Sequence, residues 1–450
     1  MKQYNAKNIL NIALAGHGGA GKTSIIESML YLSGASDRLG KIADGNTICD
    51  FDPEEVKRKA SVSTAVAPVE WKNKKLNFID TPGLFDFEGG LWEGVRAADT
   101  VMIAVSGKNG VSVGTEKAVK AAESRGLSKV FFVNGLCDES ARFYRVFETL
   151  KASFGPSVCP VVVPFIVDGQ ANCYVNLLEY KAYAYSPDGK VSEVPMPDMG
   201  DRLEGLRTAI YEAVAETSDE MFEKYFSGEA FTPEEVIVGV SRGVKSGAIS
   251  PVFCGDAINT FGIDQLLNGL VWLAPSAAEK SDEIGLDPDG NMVELSVNED
   301  GAPAAVVFKT IADPFVGKLS YFKVISGKVS PETPLVNMRT GNQERISKVM
   351  TVKGKKQEDA AYIGAGDIGA APKLQNTNTG DTLCSPVRKV TLDGVEYPNP
   401  CLSMAIYPKK KGEEDKVAQG VMRLCEEDPT IHFKNNQETH EMIISGMGEQ

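Results

Sequence analysis

Residues 8–24 read NILNIALAGHGGAGKTS, and the fold turns on this stretch. Residues 8–15 are an apolar run closed by a glycine, the pattern of a buried strand. Gly16-His17-Gly18-Gly19-Ala20-Gly21-Lys22-Thr23, followed by Ser24, then matches G-x-x-x-x-G-K-[ST]. From Lys22 onward Ile25, Ile26, Met29 and Leu30 share one helical face, until Gly34 ends the helix. A strand, a glycine loop and a helix in that order form a phosphate cradle. The glycines let backbone N–H groups wrap a β-phosphate, and the helix N-terminus adds a favourable field for an anion. Lys22 is placed to reach the β- and γ-phosphates, and the Thr23 hydroxyl to bind Mg²⁺.

Further buried strands are expected at Leu76–Ile79, Val101–Ser106 and Val130–Val133, with helical patterns at Glu116–Arg125 and Phe143–Phe154 between and after them. Alternating strands and helices predict an α/β domain with a mostly parallel sheet, its ligand at the carboxyl ends of the strands. At one such end stands Asp80-Thr81-Pro82-Gly83-Leu84. Asp80 fits the carboxylate that holds Mg²⁺, and the Gly83 N–H fits a γ-phosphate sensor that loses its partner on hydrolysis. Upstream, Arg58-Lys59-Ala60-Ser61-Val62-Ser63 reads as a first switch, with Ser61 as a third Mg²⁺-directed group.

The chain has 450 residues, which calls for several domains, and 42% hydrophobic with 24% charged residues is globular composition. Eight cysteines without a C-x-x-C pair fit a reducing compartment and oppose a disulfide framework or a zinc site. The apolar run Ile9–Ala15 is too short for a membrane span, so no membrane role and a cytoplasmic location are expected. A net charge of −14 opposes general nucleic-acid coating, and no DNA partner is expected. Local basic contacts stay open at 353–356 (KGKK) and 409–411 (KKK).

The rhythm predicts a phosphate-binding domain over 1–157 and 251–280, an α+β insertion over 158–250 and a linker over 281–298. A small β-barrel follows over 299–387, with strands at Ala304–Ile311, Leu319–Gly327, Pro334–Met338 and Arg345–Val352. Residues 398–450 read strand, helix, strand, strand, the start of a ferredoxin-like unit. Its helix, Asp415–Glu427, is expected to bury Val417, Val421, Leu424 and Cys425. A sheet with an apolar face left uncovered predicts a longer parent protein.

In this order the motifs resemble a translational GTPase, bacterial elongation factor G, and within it the divergent elongation factor G-like branch. The resemblance also runs through Cys254-Gly-Asp-Ala257, Ala312-Asp-Pro-Phe-Val-Gly317, Gly364-Ala-Gly-Asp-Ile-Gly369, Thr379-Gly-Asp-Thr-Leu383, Glu427-Asp-Pro-Thr430 and Ile444-Ser-Gly-Met-Gly448. It implies GTP and GDP as ligands, Mg²⁺ as cofactor, and the ribosome, its RNA and its proteins, as partner in translocation. Three departures stand out. Gly19 occupies the place of an aspartate that helps hold a monovalent cation. Leu84 occupies the place of the histidine that orients the attacking water. The guanine loop, Asn-Lys-x-Asp in the family, is here Asn134-Gly135-Leu136-Cys137 with Asp138 one residue late, so either Asp138 swings in or guanine preference is lost or relaxed. Asn134 is expected to tie this loop to the phosphate loop. At the second base loop, Gly255-Asp256-Ala257 stands for Gly-Ser-Ala, with the Ala257 N–H directed at guanine O6. Three readings result: a ribosome-linked GTPase with impaired chemistry, a nucleotide-dependent ribosome-docking protein that barely hydrolyses GTP, and a P-loop enzyme with relaxed base choice.

Overall fold

The structure, a computed structural model, describes residues 2–449 apart from 188, 281, 314–316, 411, 437, 439 and 440. The centre of the Ala312–Gly317 stretch and Lys411 lie outside the described residues. Eleven strands build the first half: β1 (Ile9–Ala15), β2 (Ala65–Trp71), β3 (Lys74–Asp80), β4 (Thr100–Ser106), β5 (Ser128–Asn134), β6 (Val158–Pro160), β7 (Val162–Val167), β8 (Gln170–Asn176), β9 (Lys181–Tyr185), β10 (Val191–Val194) and β11 (Ser250–Cys254). Interleaved with them are α1 (Lys22–Leu32), α2 (Pro53–Arg58), α3 (Gly89–Ala97), α4 (Val113–Ser124), α5 (Phe143–Phe154), α6 (Asp201–Ala215), α7 (Asp219–Phe226), α8 (Pro233–Ser246) and α9 (Ile263–Leu273).

The main sheet runs β2-β3-β1-β4-β5-β11-β6 and is parallel except for β2 against β3. β1 is buried at every position, which is why its sequence shows no alternation. The carboxyl ends of β1, β3, β5 and β11 therefore meet at one edge, where the phosphate loop, the Asp80–Leu84 stretch and the two base loops begin. The insertion forms its own sheet, β10-β9-β8-β7, with helices α6 to α8. One boundary moves: β6, expected to open the insertion, is an edge strand of the main sheet, with Val158 opposite Ser250. Val158 and Cys159 are buried there, and a three-residue strand carries too little pattern to show which sheet it joins.

The expected linker is structured. β12 (Glu283–Leu286) and β13 (Met292–Leu295) form a hairpin, and Thr391–Leu392 pairs with β12. Leu295 packs with Val390 and Leu392, and Glu283 is buried against Arg96, so acidic composition hid an anchored strap. β14 (Ala304–Asp313) and β15 (Gly317–Ser326) then lead an eight-stranded antiparallel sheet around Val307, Phe322, Val324, Leu335 and Leu383. The expected single strand Arg345–Val352 is two, Gln343–Arg345 and Val349–Lys353, paired to different neighbours. The last unit places α10 (Glu414–Glu427) with a three-stranded antiparallel sheet. Val421 is buried, but Leu424 is 48% exposed. Val417 and Cys425 flank Val421 one helical turn to either side, and Leu424 lies about 60° round the helix from Val421, at the margin of that line.

The antiparallel unit is bound to the first domain by buried polar contacts. Lys75 pairs with Asp367 at 2.8 Å, Asn11 donates to the Gly366 carbonyl at 2.8 Å, and Lys323 pairs with Asp99. Lys353 donates to the Ala35 carbonyl at 2.6 Å, so this lysine of the KGKK run serves an internal contact.

Candidate nucleotide site

The phosphate loop takes its shape from two glycines. Gly16 has φ +135°, and a Cβ there would come 2.5 Å from the Ala104 carbonyl oxygen. Gly21 has φ +87°, and its missing Cβ leaves room for the Asn134 amide. Lys22 follows, buried, with Nζ donating to the carbonyls of Gly16 and His17 at 3.1 Å each. Burial lowers its pKa, while the Asp80 and Asp50 carboxylates oppose that shift. Gly83 lies so close to this ammonium that a side chain there would collide with it and with the Gly18 backbone. Thr81 donates its hydroxyl to the Leu14 carbonyl at 2.6 Å, which fixes the stretch through Pro82 to Gly83 against β1.

Beside Lys22 the expected cation groups converge. Thr23 Oγ1 donates to Asp80 Oδ2 at 2.8 Å and lies 3.2 Å from Ser61 Oγ. Asp50, which sequence reasoning missed, joins them. It is 5% exposed and neither of its oxygens has a well-formed hydrogen bond, Ser61 offering only a weak one. Asp80 Oδ1 is likewise without a partner. Burial raises the pKa of both acids, and Asp80 feels the Asp50 charge as its next cause after burial. Buried carboxylate oxygens left bare beside a threonine hydroxyl fit an Mg²⁺ that keeps waters and phosphate oxygens in its shell. Among the described residues no three His, Cys, Asp or Glu side chains make a closed metal cage, and such a shared site needs none. Glu55 holds the first switch in place: it accepts N–H bonds from Val62 at 3.1 Å and Ser63 at 3.2 Å. Burial, then the Asp50 charge, push its pKa up to about 7. The capping box at Asp52–Glu55 was the one sequence signal for this acid, and Asp50 carried none.

These groups face a cleft of about 630 Å³ lined by residues 18–24, Asp50, Ser61, Gly83, Leu84, Asn134, Gly135, Cys137, Asp138 and Asp256. Leu84 packs on the phosphate loop, where a Cβ on Gly18 would stand 3.2 Å from its Cδ2. His17 points to the neighbouring Phe85, ring centroids 5.6 Å apart. Asn134 does what was expected, donating to the Ala20 carbonyl at 3.0 Å. Its Oδ1 also accepts the Ala257 N–H at 2.9 Å, so that amide is already committed within the protein. Leu136 is turned inward, 6% exposed, with its N–H on the Gly255 carbonyl at 3.1 Å. Asp138 is solvent-facing: it accepts the Ser140 N–H at 2.8 Å and lies 3.6 Å from Lys108. Ile258, also unflagged by the sequence, is 68% exposed at the cleft rim.

The cleft communicates with the rest of the chain. Lys309 of β14 donates to the Thr64 carbonyl at 2.5 Å and also to Ser63, the last residue of the first switch. Glu93 of α3 accepts from the Thr64 hydroxyl at 2.7 Å and from the Tyr397 hydroxyl at 3.1 Å. Ser63 of the first switch therefore touches β14, and α3 touches Tyr397, through polar side chains.

Comparison with known proteins agrees with this layout. The family model described as Elongation factor Tu GTP binding domain matches residues 7–276. Elongation factor G domain 2 matches 302–386, and Elongation Factor G, domain III, matches 397–450. A crystal structure of a Thermus thermophilus protein superposes with a TM-score of 0.88 at 29% identity, covering 98% of this chain and 64% of that one. The chain thus spans less than two thirds of the length of the protein it matches. With three consecutive domains matched in order over one continuous structural likeness, the chain belongs to the translational GTPases of the elongation factor G type.

Proposed function

We propose that the protein binds GTP and GDP with Mg²⁺ and acts on the ribosome as an elongation factor G-like GTPase whose hydrolysis is slow. The observation that carries this is the meeting of Lys22, Thr23, Asp80, Ser61 and Gly83 at one end of a single cleft. Lys22 leaves its two loop carbonyls for the β- and γ-phosphates, and the Gly83 N–H reports the γ-phosphate. Bound Mg²⁺ would supply charge neutralisation at the phosphates, held through Thr23 and Ser61 with Asp80 and Asp50 behind them. Water attacks the γ-phosphate in line, and the positioned charges stabilise the transferring group. The cytoplasmic location and the ribosomal partner rest on the family resemblance. Among the described residues no helix is long and apolar enough to cross a membrane.

Leu84 favours a second reading, a protein that docks on ribosomes according to its nucleotide and hardly turns over. Its alkyl side chain has no hydrogen-bonding group to orient a water. One set of measurements separates the two: fluorescent GTP and GDP binding, then phosphate release with and without ribosomes. Ribosome-stimulated release supports the GTPase, and tight binding without release supports the docking protein. Lys22→Ala is expected to weaken GTP binding about 10- to 100-fold, the range for losing a charge-assisted contact to an anion. Retention of GTP at the parental affinity would overturn the phosphate site.

A further inference from the structure

The base end of the cleft contains one deeply buried carboxylate, and it lies on the other loop from the one the family pattern uses. Asp256 is 4% exposed and lines the cleft. Its Oδ2 accepts the Cys137 N–H at 3.1 Å, and its Oδ1 accepts the backbone N–H of Asn259 at 3.0 Å and the Asn259 side-chain amide at 2.9 Å. The Cys137 thiol lies beside the same carboxylate, and burial followed by that negative charge pushes its pKa up to about 11. Asp138, by contrast, is exposed, tied to Ser140 and facing Lys108.

From this we infer that Asp256 is the guanine-reading residue. An acid and a small polar side chain have exchanged loops, with Asp256 now opposite Cys137, so the acceptor reaches the base from the second loop. The inference rests on the nucleotide-binding reading above and deepens it by assigning the base.

A carboxylate offers about four acceptor positions. Two are taken here by backbone N–H groups, of Cys137 and Asn259, which orient the carboxylate. The Asn259 side-chain amide takes a third, on Oδ1, and is free to rotate away; the fourth, on Oδ2, lies beside the Cys137 side chain. Guanine presents two adjacent donors, N1–H and the 2-amino group, one for the open position on Oδ2 and one to displace the Asn259 amide from Oδ1. Adenine presents a lone pair at N1, which the carboxylate repels. Hypoxanthine keeps N1–H but lacks the 2-amino group, and so leaves one acceptor position without its donor.

The test is calorimetric titration of the chain with GDP, IDP, XDP and ADP in the presence of Mg²⁺. The parent is expected to bind GDP about 10-fold or more tighter than IDP, and tighter still than ADP. Asp256→Asn presents one acceptor and one donor, which match xanthine N1–H and O2, so it is expected to move the preference from GDP to XDP. Equal affinity of the parent for GDP, IDP and ADP would overturn the inference without need of any variant, while leaving phosphate binding intact. A switch to XDP produced by Asp138→Asn, with Asp256→Asn still preferring GDP, would overturn it too. Absence of binding by all four diphosphates would overturn the phosphate site itself, and the inference with it.

Discussion

Leu84→His is expected to raise the rate of GTP hydrolysis by about 10²- to 10⁴-fold, the range for one well-placed group that handles the proton or water of the attack. Position 84 comes directly after Gly83, whose Cα borders Lys22 and Gly18. Whatever stands there lines the cleft beside Lys22, the end proposed to hold the γ-phosphate. Leucine uses the position to pack on the phosphate loop, so on the proposed reading catalysis rests on the electrostatic stabilisation of Lys22 and the backbone, with no hydrogen-bonding group at position 84 to orient water. The neighbouring Phe85 ring is contacted by His17 and Lys117. The gain should appear in single-turnover phosphate release, and more strongly with ribosomes if their contact sets the side-chain rotamer. GTP affinity should stay within a few fold, because Leu84 offers the nucleotide no polar contact. An unchanged rate in a folded variant that binds GTP normally would remove water positioning as the slow step.

The phosphate half of this site was legible because its physics is local. Gly16, Gly21, Lys22 and Thr23 lie within eight residues of one another, and the strand before and helix after them are set by apolar periodicity. Asp80 and Gly83 were legible for the same reason, since the end of a buried strand fixes the place of the loop residues next to it. Asp50 was not. It sits in an irregular segment between α1 and α2, and only tertiary folding aims it at Lys22. The base end was half legible: Asn134 makes its expected bond to the phosphate loop, yet the Ala257 N–H is spent on Asn134, and the buried acid is Asp256. Which of two acids, 118 residues apart, turns inward depends on loop hydrogen bonds that leave no periodic trace. The strap at Glu283–Leu295 failed for a related reason. Short strands rich in Glu and Asp look like solvated linker until the cation that pairs with them is known.

That strap carries the second large effect. Glu283→Gln is expected to destabilise the chain by about 3 kcal/mol at neutral pH, the lower end of the range for breaking a buried ion pair, because the glutamine oxygen still accepts one bond. Arg96 is 2% exposed and lies 3.2 Å from Glu283 Oε1, and Lys280 lies 2.6 Å from the same oxygen. Burial alone would raise the Glu283 pKa, but the Arg96 and Lys280 charges overcome it and hold the acid well below its usual range. A depressed folded pKa contributes stability above the unfolded value of about 4.3, and that contribution fades as pH falls below it. The gap between parent and variant should therefore be full at pH 7 and narrower at pH 3.5, in urea denaturation followed by fluorescence. An equal gap at both pH values would show that shape, and not charge, makes the contact. Arg96 belongs to α3, the helix directly behind Gly83 and Leu84, and also donates to the Asp393 carbonyl at 2.8 Å. Loosening this anchor frees the C-terminal end of α3, which on the proposed reading follows the γ-phosphate sensor Gly83. Glu283→Gln should then reduce the difference in protease sensitivity between the GTP- and GDP-bound chain near residues 391–398, while leaving GDP affinity itself little changed.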